Sequence, residues 1–350
     1  MKKILVVRND KLGDFMLAWP ALALIKSHLP NDEIHVLVPE YTREIADLCP
    51  SVDRVIIDPG PHGGGAAALR TMFRDQSYHM VVTLFSTTRV GLGAWLARIP
   101  IRVAPATKFA QVFYNYRLVQ RRSRSLKPEH EYNSELACFA LEQLGLRVKT
   151  FTVPPYLEFE SKEIQDLKKT FVIANNIPDR HGLIFVHPGS GGSAPNLSLD
   201  QYRQLIQGLR SDRGLCIVFS AGPGELDRVR QLAKGLKGIA HVIYASVHGL
   251  ADFARHIACA DLFISGSTGP LHIAGALDRP TVGFYTRRRS ATALRWQTLN
   301  QPERRLAFSP PPDAAEMDMA SIDVKEAAVK ISKMFLHQQS WVSIVLQGYE

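Results

Sequence analysis

The chain has 350 residues, 46% of them hydrophobic and 21% charged, with 42 Lys and Arg against 33 Asp and Glu and a formal charge of +9. That length suits two domains rather than one core, and no run approaches the ~18 uncharged apolar residues of a membrane span. The positive excess favours an acidic partner, whether nucleic acid, an anionic membrane surface or a phosphorylated or carboxylated substrate; the lack of a zinc-finger, basic-zipper or RNP-type signature counts against nucleic acid.

The opening MKKILVVRNDKLGD carries two lysines and a short apolar run, but charge returns at Arg8, so it reads as a first strand rather than a signal peptide and a cytoplasmic protein is expected. Residues 4–7 form that strand and 9–13 a polar turn. Residues 15–29 read as a helix, with Leu22, Ile25 and Leu29 on one stripe and Pro30 with Asn31 as the stop. Strands follow at 34–38, 55–57 and 80–84, the last two separated by a Pro and Gly-rich stretch at 59–65 and a helical segment at 66–73. Strands alternating with helices at this spacing predict a parallel, helix-covered sheet.

The chain then becomes basic and interleaved with aromatics, including Arg98, Arg102, Lys108, Phe109, Phe113, Tyr114, Arg117, Arg121, Arg122 and Arg124. Such a run suits an anionic lipid head group at a membrane surface, or a solvated loop with a few buried aromatics. A helix is predicted over 131–144, ended by Gly145, and 152–162 is a weakly patterned approach to a domain boundary. Four widely spaced cysteines, Cys49, Cys138, Cys216 and Cys259, suggest neither zinc nor a redox dithiol and are expected to be reduced and mostly buried.

A second alternating series follows. Residues 182–186 are a strand running into HPGSGGSAPN, 200–209 a helix, 215–219 a strand running into SAGPGE, 226–236 a helix, 242–244 a strand and 250–259 a helix. The apolar run 261–264 is broken by Gly266 and Gly269, and a helix starts at once: Ser267 or Thr268 caps it, Pro270 suits its first position, and Leu271, Ala274 and Leu277 share a face. A β-branched run at 280–285, an amphipathic helix at 322–336 and an apolar stretch at 341–346 complete the chain.

A strand, a glycine turn and a capped helix leave backbone N–H groups and the positive end of a helix dipole at the carboxyl edge of a sheet, where phosphates bind. His272 lies in the first turn as a further donor. Ser190, Gly191, Gly192 and Ser193 form a second such turn. The alternative is a plain strand-to-helix turn whose glycines serve backbone geometry alone. Two tandem α/β halves with loops of this kind predict a cleft between facing carboxyl edges.

Taken together, RNDKLGDFMLAWPAL, HPGSGGS and SGSTGPLHIAGAL resemble the bacterial heptosyltransferases of glycosyltransferase family 9, over about residues 1–335. The resemblance implies an α/β, GT-B architecture: a Rossmann-like acceptor-binding domain over 1–165, a Rossmann-like nucleotide-sugar-binding domain over 178–321, the two facing a central cleft, and a C-terminal helix and tail over 322–350 packing back on the first. It implies inverting, metal-independent transfer of a heptose from ADP-L-glycero-D-manno-heptose to a lipid-linked anionic glycan of the lipopolysaccharide inner core, onto Kdo or heptose. The enzyme is expected as a monomer, peripheral at the inner face of the inner membrane, without nucleic acid as partner. No Asp-x-Asp pair occurs in the sequence, so neither a metal nor another cofactor is expected, and charge on the leaving diphosphate falls to N–H groups, a helix N-terminus and basic side chains.

The resemblance also assigns residues. Inversion needs one general base, and Asp14 matches the family's; an Asp just before a helix is equally a usual N-cap, which would lower its pKa. Asn9, Asp10 and Lys11 in the same loop, with Arg121 and Arg122, fall on the acceptor side. Glu225 matches a carboxylate that grips the donor ribose, or serves as a helix N-terminal Glu. Ser267, Thr268, Gly269 and His272 match the diphosphate pocket, and His248 with Gly249 falls where adenine is expected. Residues 194–198, APNLS, depart from the family: the basic residue and the Trp-Pro pair of that place are missing, and Arg287, Arg288 or Arg289 is the candidate substitute. The alternative readings are a family 9 relative with a different donor or a protein or other glycan acceptor, and a non-catalytic nucleotide-binding relative.

Overall fold

A computed structural model describes residues 1–107, 109–148, 152–178, 180–189 and 195–337. The chain divides into two units, Met1–Leu157 and Glu158–Glu350.

In the first unit the elements run β1 (Lys3–Val7), α1 (Leu12–Met16), α2 (Trp19–His28), β2 (Glu33–Val38), α3 (Arg43–Asp47), β3 (Arg54–Ile57), α4 (Gly65–Gln76), β4 (Met80–Thr83), α5 (Thr88–Leu96), β5 (Ile101–Pro105), β6 (Tyr116–Leu118) and α6 (Glu129–Glu142). The six strands are parallel, in the order β3-β2-β1-β4-β5-β6. Ile4 to Val7 and Met80 to Val82, in the two central strands, are buried without alternation, as expected where helices cover both faces.

Three features differ from the sequence reading. The helix predicted over 15–29 is two helices: α1 ends at Leu17, and α2 restarts with Pro20 in its first turn, where the missing N–H is harmless. The basic run supplies α5, β5 and β6, none of them expected. Arg102 fastens this segment, its backbone N–H donating to Asn115 Oδ1 at 2.8 Å and its guanidinium to the carbonyls of Phe113 and Ile99 at 2.8 and 2.5 Å. A groove of about 800 Å³ opens between α2, β6 and α6, lined by Leu24, Leu118, Val119, Cys138, Phe139 and Tyr156 among others.

The second unit runs α7 (Ser161–Ala174), β7 (Gly182–His187), α8 (Leu199–Gly208), β8 (Leu215–Ala221), α9 (Leu226–Lys234), β9 (Ala240–Ala245), α10 (Gly249–Ala258), β10 (Leu262–Gly266), α11 (Gly269–Ala276), β11 (Thr281–Phe284), β12 (Arg305–Phe308) and α12 (Val324–Ile331). Helix α7 lies in the stretch expected to be linker. Its Phe171 ring packs 6.4 Å from Phe185 and 5.7 Å from His256, and Lys168 donates to Asp261 at 3.1 Å. The boundary therefore falls after Leu157 rather than at 165. Helix α12 buries Val324, Ala327, Ala328 and Ile331 in the core of the second unit beside Tyr202 and Leu205 of α8. Each large side chain so buried contributes about 1.5–3 kcal/mol. Residues 338–350, including the apolar stretch 341–346, lie outside the described residues.

The strands of this sheet are again parallel, ordered β12-β11-β10-β7-β8-β9. Counted within each unit, both sheets therefore have the order 3-2-1-4-5-6. That order reverses direction between the first and fourth strands, and ligands of such sheets bind beyond the carboxyl ends of the strands at that point. It lies beside β1 and β4 in the first unit and beside β7 and β10 in the second.

Candidate functional site

The first switch point holds a buried charge cluster. Where β1 leaves the sheet, Arg8 is only 3% exposed. Its Nη2 donates to Asp14 Oδ1 at 2.5 Å, its Nε to Asp10 Oδ1 at 2.9 Å and its Nη1 to Glu129 Oε1 at 2.9 Å. Arg122 Nη1 reaches the same Glu129 oxygen at 2.7 Å, and Asn133 Oδ1 accepts from both guanidiniums at 3.3 and 3.2 Å. Asn133 Nδ2 donates at 2.9 Å to the carbonyl of Leu17, the residue that ends α1.

Two guanidiniums thus face three carboxylates. The cluster carries an excess negative charge. Burial pushes Asp14 up to about 7, against the pull of Arg8, whose positive charge is divided among three partners. This corrects the helix-cap reading of Asp14: Lys11 occupies the cap position, Asp14 lies inside the helix, and its carboxyl moves up rather than down. A carboxyl near neutrality can take up or release a proton at working pH.

The other residues of that loop are placed differently from one another. Asn9 donates its amide to Asp58, which also accepts from Arg89 at 2.5 Å. Burial raises Asp58, but these hydrogen bonds outweigh it and hold the carboxyl below the ordinary range. Tyr41 donates to the Asp10 carbonyl at 2.6 Å. Lys11 and Arg121 are exposed. Arg122 is tied to Gln120, Glu129, Asn133 and the Leu84 carbonyl.

In the second unit β7 ends in His187, which pairs in register with Ser265 of β10. His187 is buried, its Nδ1 lies 3.2 Å from the Ser220 carbonyl and its Nε2 3.6 Å from Glu225 Oε2. Burial lowers its pKa against the opposing pull of Glu225. Glu225 precedes α9 and accepts the Gly222 N–H at 3.0 Å. Gly189 leaves room for this carboxylate, since a β-carbon there would stand 2.1 Å from Glu225 Oε1.

Beyond β10, the helix α11 begins as the glycine pattern predicts, with Thr268 at the cap and Pro270 in the first turn. The Thr268 side chain does not cap it, lying instead 2.9 Å from Ser265 Oγ. Ser267 and Gly269 are half-buried at this turn, while His272 is 2% exposed. His248 is exposed at the start of α10. Ser190, Gly191, Gly192, Ser193 and Ala194 lie outside the described residues.

Asn196 donates to the carbonyls of Pro188 and Gly189 at 3.0 and 3.2 Å and accepts from the buried Tyr202 hydroxyl at 2.8 Å. Gly266 permits that contact, because its β-carbon would stand 2.6 Å from Asn196 Oδ1. Arg228 places a guanidinium nitrogen 3.4 Å from the Leu197 carbonyl, a cation beside the stretch where the family's basic residue is missing. Arg287 instead donates to the carbonyls of Pro312 and Ala314, and Arg288 and Arg289 are exposed. Sequence reading missed Arg8, Glu129, Asn133, His187 and Arg228. Among the described residues no group of three His, Cys, Asp or Glu side chains is placed to hold a metal ion, and no helix is long and apolar enough to cross a membrane.

Two Rossmann-like domains in tandem, each with polar side chains gathered at its switch point, define a two-domain α/β protein with a candidate site in each half. The chain belongs to glycosyltransferase family 9 (heptosyltransferase), whose family model matches residues 66–304. It is 43% identical over 335 residues to a Haemophilus influenzae protein named "Putative glycosyltransferase", covering 95% of this chain and 96% of that one. It is 25% identical to the Escherichia coli lipopolysaccharide heptosyltransferase 1, over 81% of this chain and 87% of that protein. The solved structure of E. coli heptosyltransferase WaaC with ADP shares the fold with a TM-score of 0.70 at 20% identity, covering 95% of this chain and 99% of that one. The protein is a glycosyltransferase of GT-B type, as the sequence motifs imply.

Proposed function

We propose that this glycosyltransferase moves a heptose from ADP-L-glycero-D-manno-heptose to a lipid-linked, anionic inner-core glycan with inversion at the anomeric carbon, and needs no metal. The observation that carries the reading is the buried Asp14 in a cluster with one carboxylate too many, a group suited to accept one proton. Asp14 takes the proton of the acceptor hydroxyl, the hydroxyl oxygen forms the new bond to the anomeric carbon, and the bond from that carbon to the diphosphate oxygen breaks with its electron pair leaving on ADP. The leaving charge is met by the amides of the Gly266 to Gly269 turn, the N-terminus of α11 and Arg228. Glu225 accepts hydrogen bonds from the donor's ribose hydroxyls. The similarity to an E. coli lipopolysaccharide heptosyltransferase and to a heptosyltransferase solved with ADP supports a heptose donor carried on ADP and a lipopolysaccharide acceptor.

The acceptor reaches the protein at a membrane surface. Arg98, Arg117, Arg121 and Arg124 are exposed, and Trp95, Phe109 and Val112 are more than half exposed, a composition that suits an anionic bilayer face. The test is release of ADP when the purified protein is given ADP-heptose and a Kdo-bearing lipid A acceptor. Turnover with another nucleotide sugar and none with ADP-heptose would establish the second reading, a family 9 enzyme with a different donor. That reading is favoured by Asn196, which occupies the place of a basic residue and is committed to backbone carbonyls.

A further inference from the structure

Two residues one helical turn apart on α6, Glu129 and Asn133, receive both guanidiniums of the first switch point. Glu129 is 1% exposed and Asn133 fully buried. Glu129 Oε1 accepts from Arg8 at 2.9 Å and from Arg122 at 2.7 Å, and Asn133 Oδ1 accepts from the same two groups. Arg8 in turn donates to Asp14 at 2.5 Å. A carboxylate that holds two cations leaves each of them less free to neutralise anything else, so the grip of Arg8 on Asp14 depends on how the Glu129 charge is divided.

We propose that Glu129 is a positioning residue for the transfer reaction: shared between Arg8 and Arg122, it fixes the Arg8 guanidinium against Asp14 and limits how much of its charge Asp14 receives. Asn133 completes the clamp by tying the same guanidiniums to the Leu17 carbonyl at the end of α1, the helix that carries Asp14. The charged and titratable groups facing Asp14 are Arg8 and Asp10 from the β1–α1 loop, Glu129 from α6, and Tyr41 from the segment after β2. Arg122 acts on it through Glu129. The inference rests on Asp14 being the base only for its effect on rate; the arrangement itself is read without substrate.

The test is a titration of the Asp14 carboxyl by carbon-13 NMR in the full-length protein, its signal assigned by its loss in Asp14→Asn. In Glu129→Gln the competing negative charge is gone and Arg8 turns fully to Asp14, so the midpoint falls by about one pH unit. In Arg122→Gln the Glu129 charge is no longer shared, Arg8 is drawn toward it, and the midpoint rises. The signature is non-additivity: with Glu129 already replaced by Gln, the further change Arg122→Gln leaves the midpoint nearly where it was, whereas charges acting independently through space would add their opposite shifts. Glu129→Asp keeps the charge and is expected to retain the wild-type midpoint more closely than Glu129→Gln. Unmoved midpoints, shifts of the same sign in both, or additive shifts in the double variant overturn the proposal; if Glu129→Gln does not fold, an Arg122→Gln midpoint that fails to rise overturns it. Should the titrations behave as stated while ADP-heptose is not turned over, the clamp stands and the donor assignment fails.

Discussion

Arg8 Nη2 lies 2.5 Å from Asp14 Oδ1, and the pair is closed off so well that 3% of one side chain and 15% of the other is exposed. A carboxylate held this way is both oriented and shielded. Its proton affinity is set by neighbouring charges rather than by bulk water.

Replacing Asp14 with Asn keeps the shape and removes the proposed base. Transfer is expected to fall by about 10²–10⁴-fold, while ADP affinity, measured by calorimetry on the same variant, stays within about twofold of wild type. Transfer at the wild-type rate removes Asp14 from the chemistry.

Because burial and surplus negative charge raise Asp14 to about 7, kcat/KM is expected to climb about tenfold per pH unit on the acid side and level off above that value. The same shift bears on stability. The folded chain binds this proton more tightly than the unfolded one, so its stabilising share is complete below the ordinary carboxylate range and is lost as pH rises through about 7. The melting temperature of wild type relative to Asp14→Asn is therefore expected to be lower at about pH 8 than at about pH 5; an unchanged difference contradicts the shift.

Gly189 gives a way to move Glu225 without altering it. A methyl group at that position collides with the carboxylate, which must swing away from Gly222 and His187. Gly189→Ala and Glu225→Gln are both expected to weaken ADP binding by about 10–100-fold, the value of a charge-assisted hydrogen bond. Tight ADP binding in both excludes a ribose contact.

Arg228 is expected to contribute about tenfold to ADP affinity, with a salt dependence that Arg228→Gln abolishes. An affinity that is insensitive to this change leaves the diphosphate to backbone amides alone.

Tyr202→Phe removes the hydroxyl that donates to Asn196 from the core of the second unit. The loss is expected at about 1–2 kcal/mol in chemical denaturation. A fully stable variant means that the Leu197 N–H, which also donates to Asn196 Oδ1 at 2.8 Å, holds the amide by itself.

How much of this was legible beforehand differs by element. The Leu262 to Gly266 strand and the α11 turn follow from local chemistry, an apolar run, two glycines and a proline between Leu262 and Pro270, and their reading needed no tertiary information. Helix α7 escaped because its fourteen residues carry no cap and a diluted apolar stripe, and only packing by Phe171 and an ion pair at Lys168 settles it. Arg8 reads locally as a charge ending a strand; its importance comes from Glu129, 121 positions away. Glu129 and Asn133 share a face at helical spacing, a signal present in the sequence but lost when the helix is begun two residues late. Asp14 was found by motif, yet its proton affinity was legible only once three carboxylates were seen around two arginines.

Of the four thiols, three are sealed in, with Cys49 pushed up to about 12 and Cys216 and Cys259 to about 11 by burial. Cys138 alone is half-buried, on the wall of the groove between α2 and α6. Nature has thus left a single attachment point for a maleimide dye or nitroxide, and wild-type protein labelled there carries a reporter in the first unit with no engineered residue.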